Sequence, residues 1–204
     1  MIHHRRPLTG VVLSGGKSLR MGQNKAFLKI GGVPIIRRIL DIFRPLFQEI
    51  IIVTNEPDLY SNFDVSVYND LIPNGGALVA LYTGLFHSSL PYSFVVGCDM
   101  PYLKASVISY LMERTEGYDV TVPKSPDGLE PLHAIYSKNC MGAIESLLRE
   151  RKAKVIDFFS SVRVKIIEAS EILPLDPRLE SFVNLNTREE LTRYEQQHLS
   201  ALLD

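Results

Sequence analysis

The chain has little cysteine. Among its 204 residues only Cys98 and Cys140 are cysteines, and they are neither closely spaced nor accompanied by a cluster of histidines. Zinc sites and disulfide scaffolds both need such a pattern, so the sequence indicates neither. We predict instead that both thiols are packed in the core.

The chain also lacks an excess of either charge. Its 22 Lys and Arg residues stand against 23 Asp and Glu residues, which gives a formal net charge of -1. No overall field attracts nucleic acid or an anionic membrane, so we expect neither as a partner. The apolar stretch before the first glycine pair is too short for a signal peptide core or a membrane span, and we therefore expect a cytoplasmic protein.

What the sequence does contain is a series of short apolar runs between segments with helical spacing. The runs are apolar on consecutive residues, which is typical of strands covered on both faces, and the alternation predicts an α/β fold with a largely parallel sheet. One domain spanning residues 1–204 is the simplest count. The predicted strands are residues 10–14, 49–54, 65–68, 93–98, 118–123, 132–136 and 162–167, and the predicted helices are 34–44, 78–88, 104–115, 138–149 and one from near Thr187.

The first strand is followed by a glycine-rich and cationic segment, LSGGKSLRMGQNK, at residues 13–25. Gly15 and Gly16 have no Cβ, so the backbone can turn sharply and bring N–H groups close to phosphate oxygens. Arg20 and Lys25 add the positive charge that a triphosphate requires. The segment therefore indicates phosphate binding, with a purely structural tight turn as the alternative.

Two familiar phosphate motifs do not fit this segment. GKS stands at residues 16–18, but a P-loop needs four residues between its glycines, Val11 occupies the required position, and Gly10 leaves five. The dinucleotide fingerprint G-x-G-x-x-G cannot be aligned here either. The chemistry is thus phosphate handling by another kind of loop.

A second feature is the acid that ends an apolar strand in VVGCDMP, residues 95–101. Ligands collect at the carboxyl ends of parallel strands, where Asp99 is predicted to lie together with the first loop. A carboxylate there can hold Mg²⁺ while the metal also takes phosphate oxygens and waters. The alternative is that Asp99 only caps the following turn.

Two further strand ends carry polar side chains. Asp70 follows residues 65–68 and could accept hydrogen bonds from the donor edge of a base, although an ordinary turn aspartate is the alternative. Asn184 and Asn186 are two residues apart, so an extended chain points both to one face, where they could reach a metal-bound phosphate directly or through water. The alternative for these asparagines is capping of the last helix.

Taken together, LSGGKSLRMGQNK, GALVAL, GCDMP, EPLHAIY and VNLNTREEL occur in an order that resembles the molybdenum cofactor guanylyltransferases, from about residue 9 to about residue 194. The resemblance implies a doubly wound, Rossmann-like nucleotidyltransferase fold with helices on both faces of the sheet. It also implies an Mg²⁺-dependent enzyme that takes GTP and molybdopterin, forms the guanine dinucleotide cofactor and releases pyrophosphate. Proteins that donate the cofactor, and molybdoenzymes that accept the product, would be its protein partners.

The same resemblance implies roles for individual residues. Asp99 matches the residue that binds both magnesium and nucleotide, and Lys25 matches the lysine that meets phosphate, beside which Arg20 offsets charge. The remaining nucleotide-binding positions that it implies are Leu13, Ser14, Gly15, Asn55 and Asp70, and the glycine pair adds Gly16 to the predicted nucleotide-binding residues. Related cytidylyltransferases commonly have alanine in place of Gly15, so the glycine favours GTP.

The sequence departs from the family pattern at three positions. Asn24 replaces the usual aspartate before the loop lysine, which removes a charge near the phosphates, and Ala77 and Ala80 replace a proline and a glycine. Three other functions remain open: transfer from CTP, transfer to a sugar or polyol phosphate, and non-catalytic GTP binding by an accessory protein. His133 is expected to be a packing or substrate-contact residue and not a catalytic one.

Overall fold

The computed structural model describes residues 7–15, 24–73, 75–152, 154–185 and 190. The predicted last helix near Thr187 and the site candidates Gly16, Arg20 and Asn186 lie outside the described residues, except that Glu190 is helical. The strands are β1 (Thr9–Ser14), β2 (Lys29–Ile30), β3 (Val33–Pro34), β4 (Glu49–Thr54), β5 (Ser66–Tyr68), β6 (Tyr92–Gly97), β7 (Val120–Ser125), β8 (Gly128–Leu129), β9 (His133–Ser137) and β10 (Val164–Glu168). The α-helices are α1 (Ile35–Phe43), α2 (Gly76–His87), α3 (Ala105–Met112), α4 (Met141–Arg149) and α5 (Ala169–Ile172).

Eight of the strands form one sheet in the order β10-β7-β9-β6-β1-β4-β5, with β8 paired to β7. The pairs of β1 with β4 and β6, of β4 with β5, and of β7 with β10 are parallel, whereas β9 runs antiparallel to both β6 and β7. The predicted, mostly parallel α/β architecture is confirmed. β2 and β3 form a separate antiparallel hairpin.

Successive residues of the central strand pack into different layers. In β1, Val12 belongs to the cluster that contains the buried side of α1, and Val11 belongs to the cluster on the other face, which contains Leu81 of α2. Because both faces are covered, all six residues of β1 are buried. This explains why the apolar runs do not alternate with polar residues.

Helix α2 approaches the sheet unusually closely. A Cβ placed on Gly84 would lie 2.6 Å from Cγ1 of Val11, so only glycine fits at this point of the helix. The close contact packs α2 onto β1. Ser88, directly after α2, is hydrogen-bonded to Thr9 at the start of β1, so the helix N-terminus lies toward the carboxyl ends of the strands. Cys98 and Cys140 are both buried free thiols, as predicted. In the described part of the chain, none of the helices is long and apolar enough to cross a membrane.

Asp119 links the segments that flank β7, β9 and β10 at one side of the sheet. It directly precedes β7 and is only 8% exposed. Its carboxylate accepts hydrogen bonds from the backbone N–H of Arg163 at 3.1 Å, from Nε of Arg163 at 3.2 Å and from Nδ2 of Asn139 at 3.0 Å. These bonds, first of all those from Arg163, lower the pKa of Asp119 from its usual 3.8 to about 2. The ionised carboxylate therefore stabilises the fold.

We expect Asp119→Asn to lower the free energy of unfolding by about 1–2 kcal/mol at pH 7, at the low end for a charged hydrogen bond because Arg163 is largely exposed. Since the folded pKa of Asp119 is depressed, the stabilisation is complete above the unfolded value of 3.8 and is lost as the pH falls toward about 2. Urea unfolding should thus show a gap between wild type and variant that narrows from pH 7 to pH 3. Asp127→Asn, at an exposed position, is the control, and a gap independent of pH would contradict the assignment.

Candidate active site

Four neighbouring parallel strands, β6, β1, β4 and β5, end at the same edge of the sheet, and a predicted site residue follows each of them. Gly15 comes directly after β1, Asn55 directly after β4, Asp70 two residues after β5 and Asp99 two residues after β6. Leu13, in β1, accepts a hydrogen bond at its carbonyl oxygen from the N–H of Cys98, at 3.0 Å, and so joins the first loop to the segment of Asp99.

Lys25 and Asp99 lie together at this edge. Nζ of Lys25 is 3.7 Å from Oδ2 of Asp99, and the two side chains are only 21% and 24% exposed. Burial raises the pKa of Asp99, and the charge of Lys25 opposes part of that rise. A carboxylate in this environment is poorly hydrated, so it gains from a further cation. Lys25 and Asp99 are thus neighbours, as the sequence predicts, and their roles in binding stay a prediction.

Lys25 begins a short 3-10 turn, Lys25–Phe27, that is anchored on β1. The ring of Phe27 packs on that of Tyr60 with centroids 5.2 Å apart, and the hydroxyl of Tyr60 is hydrogen-bonded to Oγ of Ser14. Burial raises the pKa of Tyr60 to about 12, so this hydroxyl stays protonated. Ser14 was predicted as a nucleotide-contacting residue, but its side chain also fixes the turn of the loop lysine.

A second pair forms the other side of the site. Nδ2 of Asn55 donates to Oδ2 of Asp70 at 2.9 Å, and burial raises the pKa of Asp70, partly offset by this bond. Oδ1 of Asp70 is buried and has no hydrogen-bond partner within the described residues. A Cβ on Gly15 would lie 3.8 Å from Oδ2 of Asp70, so the glycine borders the same space. The buried, unpartnered oxygen is an acceptor for a ligand N–H.

The C-terminal segment reaches Asp99 through its backbone. The N–H of Leu185 donates to the carbonyl oxygen of Asp99 at 2.9 Å, whereas the side chain of the preceding Asn184 donates to the carbonyl of Phe182 at 3.4 Å. Asn184 therefore lies beside the Asp99 segment, with its amide hydrogen-bonded to its own segment.

Sequence reasoning missed the residues that anchor this segment. Nζ of Lys104 lies 2.8 Å from Oδ1 of the fully buried Asp176, and the N–H of Ser181 donates to Oδ2 of Asp176 at 2.8 Å. Burial alone would raise the pKa of Asp176, but the bonds from Lys104 and Ser181 outweigh it, so the pKa lies below its usual value. No sequence motif marks these two residues, since the contact joins positions 72 apart.

His133 is fully buried between two aromatic rings. The centroids of Phe94 and Phe182 each lie 5.0 Å from that of His133, in edge-to-face geometry. Burial lowers the pKa of His133 to about 3, so the imidazole is neutral. This is the environment expected of a packing residue.

No group of three or more His, Cys, Asp or Glu side chains that could enclose a metal occurs among the residues described. The described part of the chain would therefore offer a metal at this edge few ligands. Mg²⁺ tolerates this arrangement because it is commonly bound by one or two carboxylates together with phosphate oxygens and waters. The carboxylate of Asp99, whose side chain is mostly covered but still partly exposed, fits that requirement.

The family described as MobA-like NTP transferase domain matches residues 10–163, which contain both the Lys25–Asp99 pair and the Asn55–Asp70 pair. The chain belongs to the MobA-like NTP transferase family. In this MobA-like chain the matched range includes the carboxyl ends of β1, β4, β5 and β6, which form the edge described above.

Curated relatives extend the likeness over nearly the whole chain. It is 40% identical over 185 residues to a protein of Pelotomaculum thermopropionicum named probable molybdenum cofactor guanylyltransferase, with 91% of this chain and 90% of that protein covered. It is 36% identical over 190 residues to a protein of Desulfosudis oleivorans named molybdenum cofactor guanylyltransferase, with 92% and 94% covered. The resemblance found in the sequence motifs is thus confirmed.

A solved structure agrees with this MobA-like fold. Molybdopterin-guanine dinucleotide biosynthesis protein A of Archaeoglobus fulgidus is 26% identical and superposes with a TM-score of 0.82, which covers 95% of this chain and all of that one (100%). The doubly wound, Rossmann-like nucleotidyltransferase fold is therefore confirmed.

Proposed function

We propose that the chain is a molybdenum cofactor guanylyltransferase, which transfers GMP from GTP to molybdopterin and releases pyrophosphate. The single observation that carries the proposal is the 3.7 Å approach of Lys25 to Asp99 at the strand-end edge, in a chain of the MobA-like family. A lysine that meets phosphate and an acid that meets a metal are the two parts that triphosphate chemistry needs in one place.

The reaction is an in-line attack by the terminal phosphate of molybdopterin on the α-phosphorus of GTP. Both reactants are anions, so the protein has to hold them in line and offset their charge. Lys25, together with Arg20, supplies positive charge for this purpose. A phosphate nucleophile is already ionised at neutral pH, so no general base is required. The neutral, fully buried His133 is consistent with that mechanism.

Asp99 would hold Mg²⁺, and Asn184 and Asn186 would reach a phosphate bound to it, directly or through water. When bound, the metal supplies positive charge to the phosphate oxygens and to the leaving pyrophosphate. Burial raises the pKa of Asp99, so a cation in addition to Lys25 favours its ionised form. The residues of this edge therefore fit the group.

The pair of Asn55 and Asp70 would bind the base, with Leu13, Ser14, Gly15 and Gly16 as the backbone turn beside the nucleotide. Guanine presents N–H donors on the edge that a carboxylate can read, and Oδ1 of Asp70 is a buried acceptor without a partner in the described chain. Leaving that oxygen unpaired would cost free energy, which favours a base with donors at this position.

Gly15→Ala tests the choice of base. Among the described residues beyond its chain neighbours, the added methyl group would have only Asp70 nearby, at 3.8 Å, so the fold should tolerate it while the space for guanine shrinks. We expect kcat/KM for GTP to fall roughly tenfold relative to CTP, the scale of one misplaced methyl group in a binding pocket. Pyrophosphate release from each of the four triphosphates, with molybdopterin as acceptor, measures this ratio in wild type and variant.

The same assay tests the function itself. Wild-type enzyme should release pyrophosphate from GTP only when molybdopterin and Mg²⁺ are both present. Faster pyrophosphate release with CTP, or with a sugar or polyol phosphate as acceptor, would contradict the proposal and indicate a related transferase. GTP binding without any turnover would indicate an accessory protein.

We further propose that the protein works in the cytoplasm as a single domain, between proteins that donate molybdopterin and molybdoenzymes that accept the product. Its balanced charge, 22 basic against 23 acidic residues, supports a small-molecule substrate and no polymeric anion. Immunoblotting of fractionated cells checks the location, and recovery in the membrane fraction would contradict it.

A further inference from the structure

One amide side chain joins three parts of the active-site edge. Oδ1 of Asn24 accepts from the N–H of Ala26 at 3.1 Å, which caps the turn of Lys25, and from Oγ of Ser14 at 3.5 Å. At its other end, Nδ2 of Asn24 donates to Oε2 of Glu56 at 2.9 Å. Glu56 is itself tied to β4, since its N–H donates to Oγ1 of Thr54 at 3.1 Å.

The arrangement requires a group at position 24 that both accepts and donates. An amide does both, whereas an ionised carboxylate only accepts. An aspartate at this position could still cap Ala26, but it would place a second negative charge against Glu56, and like charges at such a distance repel. Glu56 itself supplies a carboxylate next to the turn, so this side of the site keeps a negative charge although residue 24 is an asparagine.

We propose that Asn24 and Glu56 form a pair of matched hydrogen-bond donor and acceptor that positions Lys25 for the triphosphate. The inference rests on the proposed function, in which Lys25 meets phosphate. Lys25 is the first residue of the turn that Asn24 caps, so displacing the cap moves the ammonium group away from its place 3.7 Å from Asp99. A displacement of about 1 Å in an active site can cost on the order of a hundredfold in rate. Asn24 and Glu56 are positioning residues that act through Lys25.

The test uses four full-length proteins: wild type, Asn24→Asp, Glu56→Gln and the double variant. The double variant exchanges the hydrogen-bond donor and acceptor of the pair. In the double variant, a glutamine amide at position 56 donates to an aspartate at position 24, and the aspartate still caps Ala26. We expect Asn24→Asp to weaken Mg·GTP binding and to raise KM for GTP roughly tenfold, and the double variant to recover to within about threefold of wild type. Asn62→Asp, with the same charge change at an exposed position, should bind like wild type.

Isothermal calorimetry with Mg·GTP gives the affinities without the acceptor, and melting temperatures measured alongside show whether each variant is folded. Wild-type affinity in Asn24→Asp, or equal weakness of Asn24→Asp and the double variant, would overturn the proposed pair. Lys25→Ala, measured in the same series, separates the two hypotheses. If it binds Mg·GTP as wild type does, the role of Lys25 in the proposed function fails, and the pair with it. If it binds weakly while Asn24→Asp does not, the pair alone is wrong.

Discussion

Asp99→Asn is expected to lower the rate of GMP transfer at least about a thousandfold, the upper range for removing one group that stabilises a charged transition state. The amide has nearly the shape of the carboxylate and leaves the backbone bond from Leu185 to Asp99 in place. It does not carry the charge that would bind Mg²⁺. The reaction would then lose both its metal ligand and the partner of Lys25.

Stability should respond in the opposite sense to activity. Burial raises the folded pKa of Asp99 above its unfolded value, so ionisation of this group costs free energy in the fold at neutral pH. The stabilisation that the protonated form gives is complete below the unfolded pKa and is lost as the pH rises through the higher, folded pKa. Neutralising the side chain by mutation should therefore leave the melting temperature unchanged or raise it, which is the pattern of a group kept for function at the expense of stability.

Pyrophosphate release and thermal melting of Asp99→Asn, wild type and Asp64→Asn provide the measurement. Asp64 is an exposed acid on the loop before β5, so the control carries the same chemical change away from the site. Turnover of Asp99→Asn near that of wild type would show that Asp99 does not hold the metal. Loss of activity together with an early melting transition would indicate a structural role instead.

The meeting of Lys25 with Asp99 could be predicted because it follows from a general rule about strand ends. The apolar run of residues 49–54 matches β4, since strands buried on both faces leave a strong signal. The carboxyl ends of parallel strands then share one edge, and the residues that follow them are neighbours however far apart they lie in the sequence. The polar residues at those ends were thus the informative ones.

The antiparallel direction of β9 could not be predicted, because a buried apolar run has the same pattern in either direction. The hairpin of β2 and β3 was also missed: it has only two residues in each strand and turns at Gly31 and Gly32, which both have positive φ. Helix α5 is a single turn closed by a capping box between Glu168 and Glu171. Elements this short carry too little periodicity to be recognised.

The contacts that support the site could not be predicted from the sequence for a different reason. Asn24 and Glu56 are 32 residues apart, and Ser14 and Tyr60 are 46 apart. Asn24 and Ser14 lie in the glycine-rich segment, but no motif marks Glu56 or Tyr60 as their partners. From the sequence alone, Asn24 was interpreted as the loss of a negative charge near the phosphates. The structure shows that Glu56 places a carboxylate against the same amide, so the departure is paired with a compensating acid.

Lys25→Ala has the second largest effect that we expect, and that effect is a loss of affinity for Mg·GTP. The side chain of Lys25 is only 21% exposed and its ammonium group faces Asp99, so its contact with a phosphate would be partly desolvated and correspondingly strong. We expect the affinity for Mg·GTP to fall about ten- to a hundredfold, which corresponds to the roughly 1.5–3 kcal/mol of a charge-assisted hydrogen bond. Isothermal calorimetry measures this fall directly.

Lys29→Ala is the matched control for that prediction. Lys29 is exposed on β2, four residues after Lys25, so its removal changes the net charge equally without touching Asp99. If the overall surface charge decided the affinity for Mg·GTP, both variants would lose affinity equally. Added salt would then reduce the loss equally in both. If the loop lysine acts at close range beside Asp99, only Lys25→Ala loses affinity, and most of the loss persists at high salt because the contact is partly buried. Equal affinities for Lys25→Ala and wild type would show that the phosphates lie elsewhere, and the strand-end site would then have to be abandoned as the place of the reaction.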